Sequence, residues 1–322
     1  MADIPDVTVI IPAYNAAWSL RATLDSVRSQ SLENFEAVVI DDGSSDDTAA
    51  VAQAVVDLDS RFRLHRQPNG RVAKARNRGV AEARGRYVAP LDSDDVWAPR
   101  FLERLVAELD RRPQAVFAFA RSTWIDADGR DMPMTEAPFP TEVGYVELLL
   151  RNPVGNSSSS VMRTAAVRAL GGYDEGIVRR HGCTEDWLLM MQLSWRGEVV
   201  PIDEHLVGYR ITERSASHAL HNATGGMLEA VDRVRREGPR LPRAVYARAR
   251  GLSALWLLRR AVAMRRWDAA FRLALLVVAA NPAWVRDRRL RRAVMAGIRR
   301  KLGLSAKRGA DLIAEAPLPR AH

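Results

Sequence analysis

A single cysteine, Cys183, stands in a chain of 322 residues. One thiol cannot close an internal disulfide, and there is no cysteine cluster to hold a metal. Lysine is scarce as well: Lys74, Lys301 and Lys307 are the only three, so arginine carries the positive charge. No apolar run reaches the ~20 residues that cross a bilayer. The best of them, Leu273 to Ala280, is far shorter. The opening MADIPDVTVIIP has no basic stretch of the kind that starts a secretory signal. Together these absences lead to the expectation of a cytoplasmic protein. What is present suits a folded chain with a sizeable core: 47% of residues are hydrophobic and 27% charged, which excludes a mostly disordered polymer.

The formal net charge of +9 conceals a division. Through Ala230 there are 25 basic against 33 acidic residues, a net −8. From Val231 onward 23 basic residues face 6 acidic ones, a net +17. An acidic body carries a basic C-terminal region, and partners have to be argued for each part separately.

Val7 to Pro12 and Phe35 to Ile40 are continuous apolar runs, the pattern of strands buried on both faces of a parallel sheet. Further strands are expected at Arg61 to Arg66, Arg86 to Leu91, Ala115 to Ala120 and Ser157 to Met162, with two short ones at Val199 to Ile202 and Leu206 to Ile211. Helical spacing covers Trp18 to Gln30, a segment capped by Asp46 and running to about Leu58, Val72 to Ala83, a helix opened by Pro99, and Thr184 to Trp195. Strands alternating with helices in this way mark an α/β fold with a doubly wound, mainly parallel sheet. Beyond it, Ala244 to Met264, Asp268 to Ala280 and Ala283 to Leu302 are expected to form a C-terminal α-helical appendage. The expected division is an α/β domain over 1–230, with halves at about 1–120 and 121–230, a basic helical region over 231–305 and a flexible tail over 306–322.

Two acidic clusters end strands of this sheet, Asp41-Asp42-Gly43 and Asp92-Ser93-Asp94-Asp95. In doubly wound sheets, ligands bind beyond the carboxyl ends of the strands. Like charges gathered there repel. A hard divalent cation, Mn²⁺ or Mg²⁺, takes oxygen ligands, keeps positions for phosphate and would reconcile them. Asp92 and Asp94, two apart at a strand end, can converge once the chain turns. Such a cation would also neutralise a diphosphate leaving group. Asp42 is placed for a base or ribose of the same ligand. Singly, acidic turns of this kind cap helices and solvate loops; the pair at successive strand ends is what points to a ligand.

The segments VTVIIPAYN (Val7 to Asn15), LDSVRSQ (Leu24 to Gln30), VVIDDGSSDDT (Val38 to Thr48), NGRVAKARNRG (Asn69 to Gly79) and GRYVAPLDSDDVW (Gly85 to Trp97) follow in order. Together they resemble the family 2 glycosyltransferases over roughly residues 5 to 215. The resemblance implies a GT-A fold and transfer of a sugar, with inversion, from a nucleotide-diphosphate donor, a UDP-sugar foremost, assisted by Mn²⁺ or Mg²⁺. It implies that Pro12, Ala13 and Tyr14 form a loop beside the nucleotide and that Asp42 contacts the base. Arg71 and Arg76-Asn77 would flank the base and diphosphate. Asp92 and Asp94 would hold ribose and metal, with Asp95 as a further metal candidate.

An inverting transfer also requires a base on the acceptor side. Glu185-Asp186-Trp187 resembles the family's Glu-Asp pair at a helix start, which implies Asp186 as base and Glu185 as a neighbour that orients the site or contacts acceptor. By itself Thr184-Glu185-Asp186 would also serve as a helix cap. Trp187 is a candidate to stack on an acceptor sugar, with a core position as the alternative. Gly171-Gly172-Tyr173-Asp174 resembles the element preceding the base and is expected to make a tight turn. Tyr209-Arg210 resembles a Tyr-Arg pair of the family. The His that commonly follows two residues later is Thr212 here, and His218 is a candidate substitute.

Without a membrane-spanning run the enzyme reads as non-processive. Its acceptor would be a cell-envelope polysaccharide, a lipid-linked oligosaccharide or another glycoconjugate. The alternative is a catalytically inactive nucleotide-sugar-binding or scaffold protein at a membrane-associated glycan assembly complex, against which the intact Glu185-Asp186 pair argues. In the basic region Trp256, Trp267, Phe271, Leu275 and Trp284 punctuate arginine-rich helices. Three readings compete there, packing on itself or the rest of the chain, peripheral contact with an anionic membrane and nucleic-acid binding through phosphates, with a homodimer as a further alternative. No motif supports nucleic-acid binding.

Overall fold

The computed structural model describes residues 4–134, 138–212, 220–263 and 266–280, together with the single positions 291 and 295. Eight strands form one sheet: β1 (Val7–Ala13), β2 (Phe35–Asp41), β3 (Phe62–Arg66), β4 (Tyr87–Pro90), β5 (Val96–Trp97), β6 (Ala115–Ile125), β7 (Ser160–Arg163) and β8 (Glu198–Arg210), in the order β3-β2-β1-β4-β7-β6-β8-β5. β3, β2, β1 and β4 pair in parallel, as do β6 and β8. β7 runs against both its neighbours, and the short β5 runs against β8. The sheet is therefore mainly parallel, as the alternating pattern predicts.

The helices are α1 (Leu20–Arg28), α2 (Thr48–Val56), α3 (Arg71–Glu82), α4 (Phe101–Arg111), α5 (Tyr145–Leu150), α6 (Thr164–Ala169), α7 (Glu175–His181), α8 (Glu185–Ser194), α9 (Leu220–Glu237), α10 (Arg243–Ala263) and α11 (Trp267–Ala280). β1 and β2 are buried along their whole length, which is why they read as unbroken apolar runs rather than alternating ones. Successive side chains enter opposite layers. Val9 and Ile11 pack with α1, α2 and α4, whereas Ile10 packs in the layer that contains α3, α5, α7 and α8.

Two expectations change. The two short strands expected near the end of the α/β part are one strand, β8, whose pairing with β6 carries irregularities around Arg121 and His205. The polar Asp203-Glu204-His205 lies within this strand, where the irregular register accommodates it. Position 230 is no break either. α9 runs straight through it, and Ala230, Val231, Val234, Tyr246 and Ala249 join the same buried layer as α8. α10 and α11 then build a smaller apolar cluster of their own, which reaches Ala223 and Cys183. The helix expected at 283–302 and the tail expected at 306–322 lie outside the described residues.

Candidate active site

β2 and β4 flank β1, so the carboxyl ends of all three open on the same edge, where the acidic clusters sit. Asp42 follows β2 directly and is buried. Its backbone N–H donates to the Ala13 carbonyl at 2.8 Å. Its Oδ1 accepts from Gln67 Nε2 at 2.7 Å and from the Gly70 N–H at 2.9 Å. The carboxyl plane is thereby fixed, with Oδ2 outside both bonds. The adjacent Asp41 is spent on structure, accepting from the Ser44 N–H and from Arg66 Nε, each at 3.0 Å. Asn15 closes this corner from β1: its Oδ1 accepts from the Ser45 N–H at 2.9 Å, with its own backbone at a φ of +49°.

Pro12 and Ala13 belong to β1 and are buried, so they are strand and not loop. β1 runs one residue further toward the ligand edge than the apolar run Val7 to Pro12. Only Tyr14 of that trio is exposed.

The Asp92–Asp95 turn is built from behind. Asp95 is completely buried. Its carboxylate accepts from Ser158 Oγ at 2.6 Å and from the Arg210 N–H at 2.9 Å. Each of its oxygens thus already accepts from the protein, and these two bonds lock the turn. Arg210 completes that lock, donating from Nε to the Asp94 carbonyl at 2.6 Å and from Nη1 to the carbonyls of Asp126 and Ala127. Asp92 and Asp94 stay partly exposed. Burial, and then the charge of Asp92, push the Asp94 carboxyl up to about 6.

Arg76 stands at the centre. It is 3% exposed. Nη2 donates to Asp92 Oδ1 and Nη1 to Glu185 Oε1, each at 2.5 Å. One guanidinium thus joins the acidic turn after β4 to the start of α8. The next residue, Asn77, fixes the segment before the base. It donates from Nδ2 to the Tyr173 carbonyl at 2.9 Å and accepts from the Tyr173 N–H at 2.7 Å. Gly172 has a φ of +81°, and a side chain there would run into the Asn77 amide, so the expected tight turn is present and needs this glycine. Arg71, also at positive φ, donates from Nη1 to the Val178 and Arg179 carbonyls at 3.1 and 3.2 Å. That side chain is committed to α7.

Glu185 and Asp186 open α8. Burial raises both carboxyls, Glu185 to about 7, while Arg76 pulls each back down. Asp186 Oδ1 accepts from the Trp187 N–H at 2.7 Å. Glu185 Oε2 and Arg76 Nε are buried without a protein partner among the described residues, polar atoms that a ligand or ordered water would satisfy. Trp187 is 3% exposed and donates from its indole to the Leu148 carbonyl at 2.8 Å. It anchors α8 in the core, which overturns the acceptor-stacking expectation: it lies on the inward side of the helix, and its polar tip already has a partner. His218 lies outside the described residues. Among the described residues no group of three or more His, Cys, Asp or Glu forms a ready metal cluster.

Sequence reasoning located the carboxylates but not the residues that arrange them. Arg76 was read only as flanking the ligand, and Ser158 and the locking role of Arg210 were missed. Ser158 had one signal, a run of four serines beside a strand, which is expensive to bury unless every hydroxyl is used.

Comparison with known proteins places these features in context. A sequence profile described as Glycosyl transferase family 2 matches residues 8–171. The putative teichuronic acid biosynthesis glycosyltransferase TuaG of Bacillus subtilis is 37% identical over 214 residues, which cover 66% of this chain and 82% of TuaG. The putative glycosyltransferase EpsH of Bacillus subtilis is 33% identical over 104 residues, covering 32% of this chain and 30% of EpsH. With several curated relatives the match spans only about a third of their length. Among solved structures, S. aureus TarS 1–349 in complex with UDP-GlcNAc superimposes with a TM-score of 0.64 at 18% identity, over 94% of this chain and 93% of that one. The mannosyltransferase PcManGT from Pyrobaculum calidifontis, in complex with GDP-Man and Mn²⁺, gives 0.62 at 18% identity, over 94% and 88%. At that identity the likeness establishes a shared α/β fold of the GT-A type.

Proposed function

The chain belongs to glycosyl transferase family 2, and we propose that it moves a sugar from a nucleotide-diphosphate donor, a UDP-sugar foremost, to an acceptor hydroxyl with inversion at the anomeric carbon. The observation that carries this reading is the Arg76 bridge. It ties carboxylates suited to a donor, at the β4 end, to a carboxylate pair suited to an acceptor, at the start of α8. A protein that only bound nucleotide would have no use for the second half.

Asp42 reads the base from its fixed socket, and Tyr14 stands exposed beside it. Asp92 and Asp94 are the groups that would hold Mn²⁺ or Mg²⁺. Two partly exposed carboxylates, one of them raised by burial and then by its neighbour's charge, fit a hard cation that shares its remaining positions with phosphate oxygens. Such an ion offsets charge on the departing diphosphate. Asp186 takes the acceptor's hydroxyl proton as that oxygen attacks opposite the diphosphate. Desolvation raises the pKa of Asp186, and a carboxylate with a raised pKa is a better proton acceptor than one in free solution. Glu185, held by Arg76, keeps Asp186 and the acceptor in register.

The acceptor in this reading is a cell-envelope glycan, a lipid-linked oligosaccharide or another glycoconjugate, and the basic region brings the enzyme to anionic lipid where such acceptors reside. Among the described residues no helix is long and apolar enough to cross a membrane, so a membrane contact of this kind would be peripheral. The assay is release of nucleoside diphosphate from a panel of donors with Mn²⁺ or Mg²⁺, with the product anomer read by NMR. Turnover that stops in chelator and yields the inverted anomer supports the reading. Donor binding without turnover on a broad acceptor panel would favour a scaffold instead.

A further inference from the structure

The loop that delivers the base is strained, and something must hold it. Between α7 and Asp186 the chain passes Gly182 at a φ of +77° and Thr184 at +80°. A left-handed conformation suits glycine but not a β-branched residue. Strain of this kind persists only where the surroundings impose it. The surroundings here are α9. Gly226 lies against this loop so closely that a methyl group would run into Thr184 Oγ1 and stand 3.1 Å from the Cys183 carbonyl oxygen. At Gly225 it would run into the His181 ring. Two adjacent glycines inside a helix disfavour it relative to alanine, so their presence calls for a reason, and the close approach supplies one.

The same helix grips α7 at both ends. Glu229 accepts from Arg180 Nε at 3.0 Å and from His181 Nε2 at 2.8 Å. Arg233 pairs with Asp174, whose side chain caps the first turn of α7 by accepting from the Ile177 N–H at 2.7 Å. Gly226, Glu229 and Arg233 are three and four apart, so they share one face of α9.

We infer that α9 is a positioning element for the base, with Gly226 and Glu229 as its principal positioning residues. The inference rests on the reading of Asp186 as base. It makes the first helix of the C-terminal region part of the catalytic apparatus, acting through α7 and Thr184 without touching substrate.

The test is steady-state transfer by the full chain in wild type, Gly226→Ala, Glu229→Gln, Thr184→Gly, the double variant Gly226→Ala/Thr184→Gly and, as the control on the base, Asp186→Asn. Donor affinity by calorimetry and thermal melts accompany it. A displaced base costs about ten- to a hundredfold in kcat while the donor site is untouched. Gly226→Ala is therefore expected to lose kcat with unchanged donor affinity. Thr184→Gly in the same chain recovers part of the loss, because it removes the colliding Oγ1 and accepts the positive φ. Glu229→Gln lowers kcat without raising the donor KM.

If Gly226 only filled space, alanine would raise the melting temperature by helix propensity and leave kcat alone. That result, with Glu229→Gln equally active and Asp186→Asn inactive, overturns the inference and leaves the base assignment standing. Full turnover in Asp186→Asn overturns the base assignment itself. If Gly226→Ala does not fold, Glu229→Gln decides by its kcat and donor KM alone.

Discussion

At the scale of single residues, the site depends on one arginine more than on any one carboxylate. Arg76 holds Asp92 and Glu185 with separate nitrogens, a fork that lysine cannot reproduce. Arg76→Lys is expected to destabilise the fold by about 2–4 kcal/mol, because it leaves buried charge without its partner, and to cut transfer at least tenfold; chemical denaturation and initial rates check the two effects. The position was legible in the sequence only as an Arg-Asn pair. Its meaning was not, since Glu185 is 109 residues away and no local pattern encodes that contact. Trp187 shows the opposite limit: chemistry was suggested by its neighbours, but its side faces the core. Trp187→Phe should therefore cost about 1–2 kcal/mol through the lost bond to Leu148 and leave the acceptor KM unchanged; a raised acceptor KM would restore it to the site. For Glu185 the linkage has a definite sign. Burial raises its carboxyl from 4.5 to about 7, so its stabilising contribution is complete below about 4.5 and is lost as pH rises through about 7. Glu185→Gln should gain stability relative to wild type on going from pH 4.5 to pH 8, as followed by melting temperature.

At the scale of elements, α7 is the shared part. α3 holds it from the donor half through Arg71 and, by way of the preceding turn, through Asn77; α9 holds it from the helical region through Glu229 and Arg233. Asn77→Ala would release the Gly172-Tyr173 turn and is expected to cost about 2 kcal/mol, with kcat falling more than donor affinity. A melt and a calorimetric titration of the same variant separate the two. The long buried strands were readable because both-face burial leaves an unbroken apolar signature, as in Val7 to Ala13. Short helices such as α5 and α6, each six residues, carry too few turns for a period to register. They are set by packing on the sheet, as is the continuity of β8 across Asp203-Glu204-His205.

At the scale of the whole molecule, the acidic body and basic C-terminal region are joined by one uninterrupted helix. Charge marks a change of surface there and not a division of the core. Residues 281–322 hold 11 basic and 3 acidic residues, a net +8. If this stretch seats the enzyme on anionic lipid, the full chain should co-sediment with vesicles containing anionic lipid, less so at high salt. A chain ending at Ala280, which keeps α9 to α11, should bind more weakly. Equal sedimentation of the two would remove lipid binding from the role of that stretch. Asp186, half-buried at the start of α8, is assigned as the base of a transfer whose donor is held elsewhere. The most direct test of that role is the Asp186→Asn variant, with transfer rate and donor affinity measured on the same preparation. The expected result is a fall in kcat of about a hundredfold or more with donor affinity preserved; transfer at the wild-type rate would remove Asp186 from the role of base.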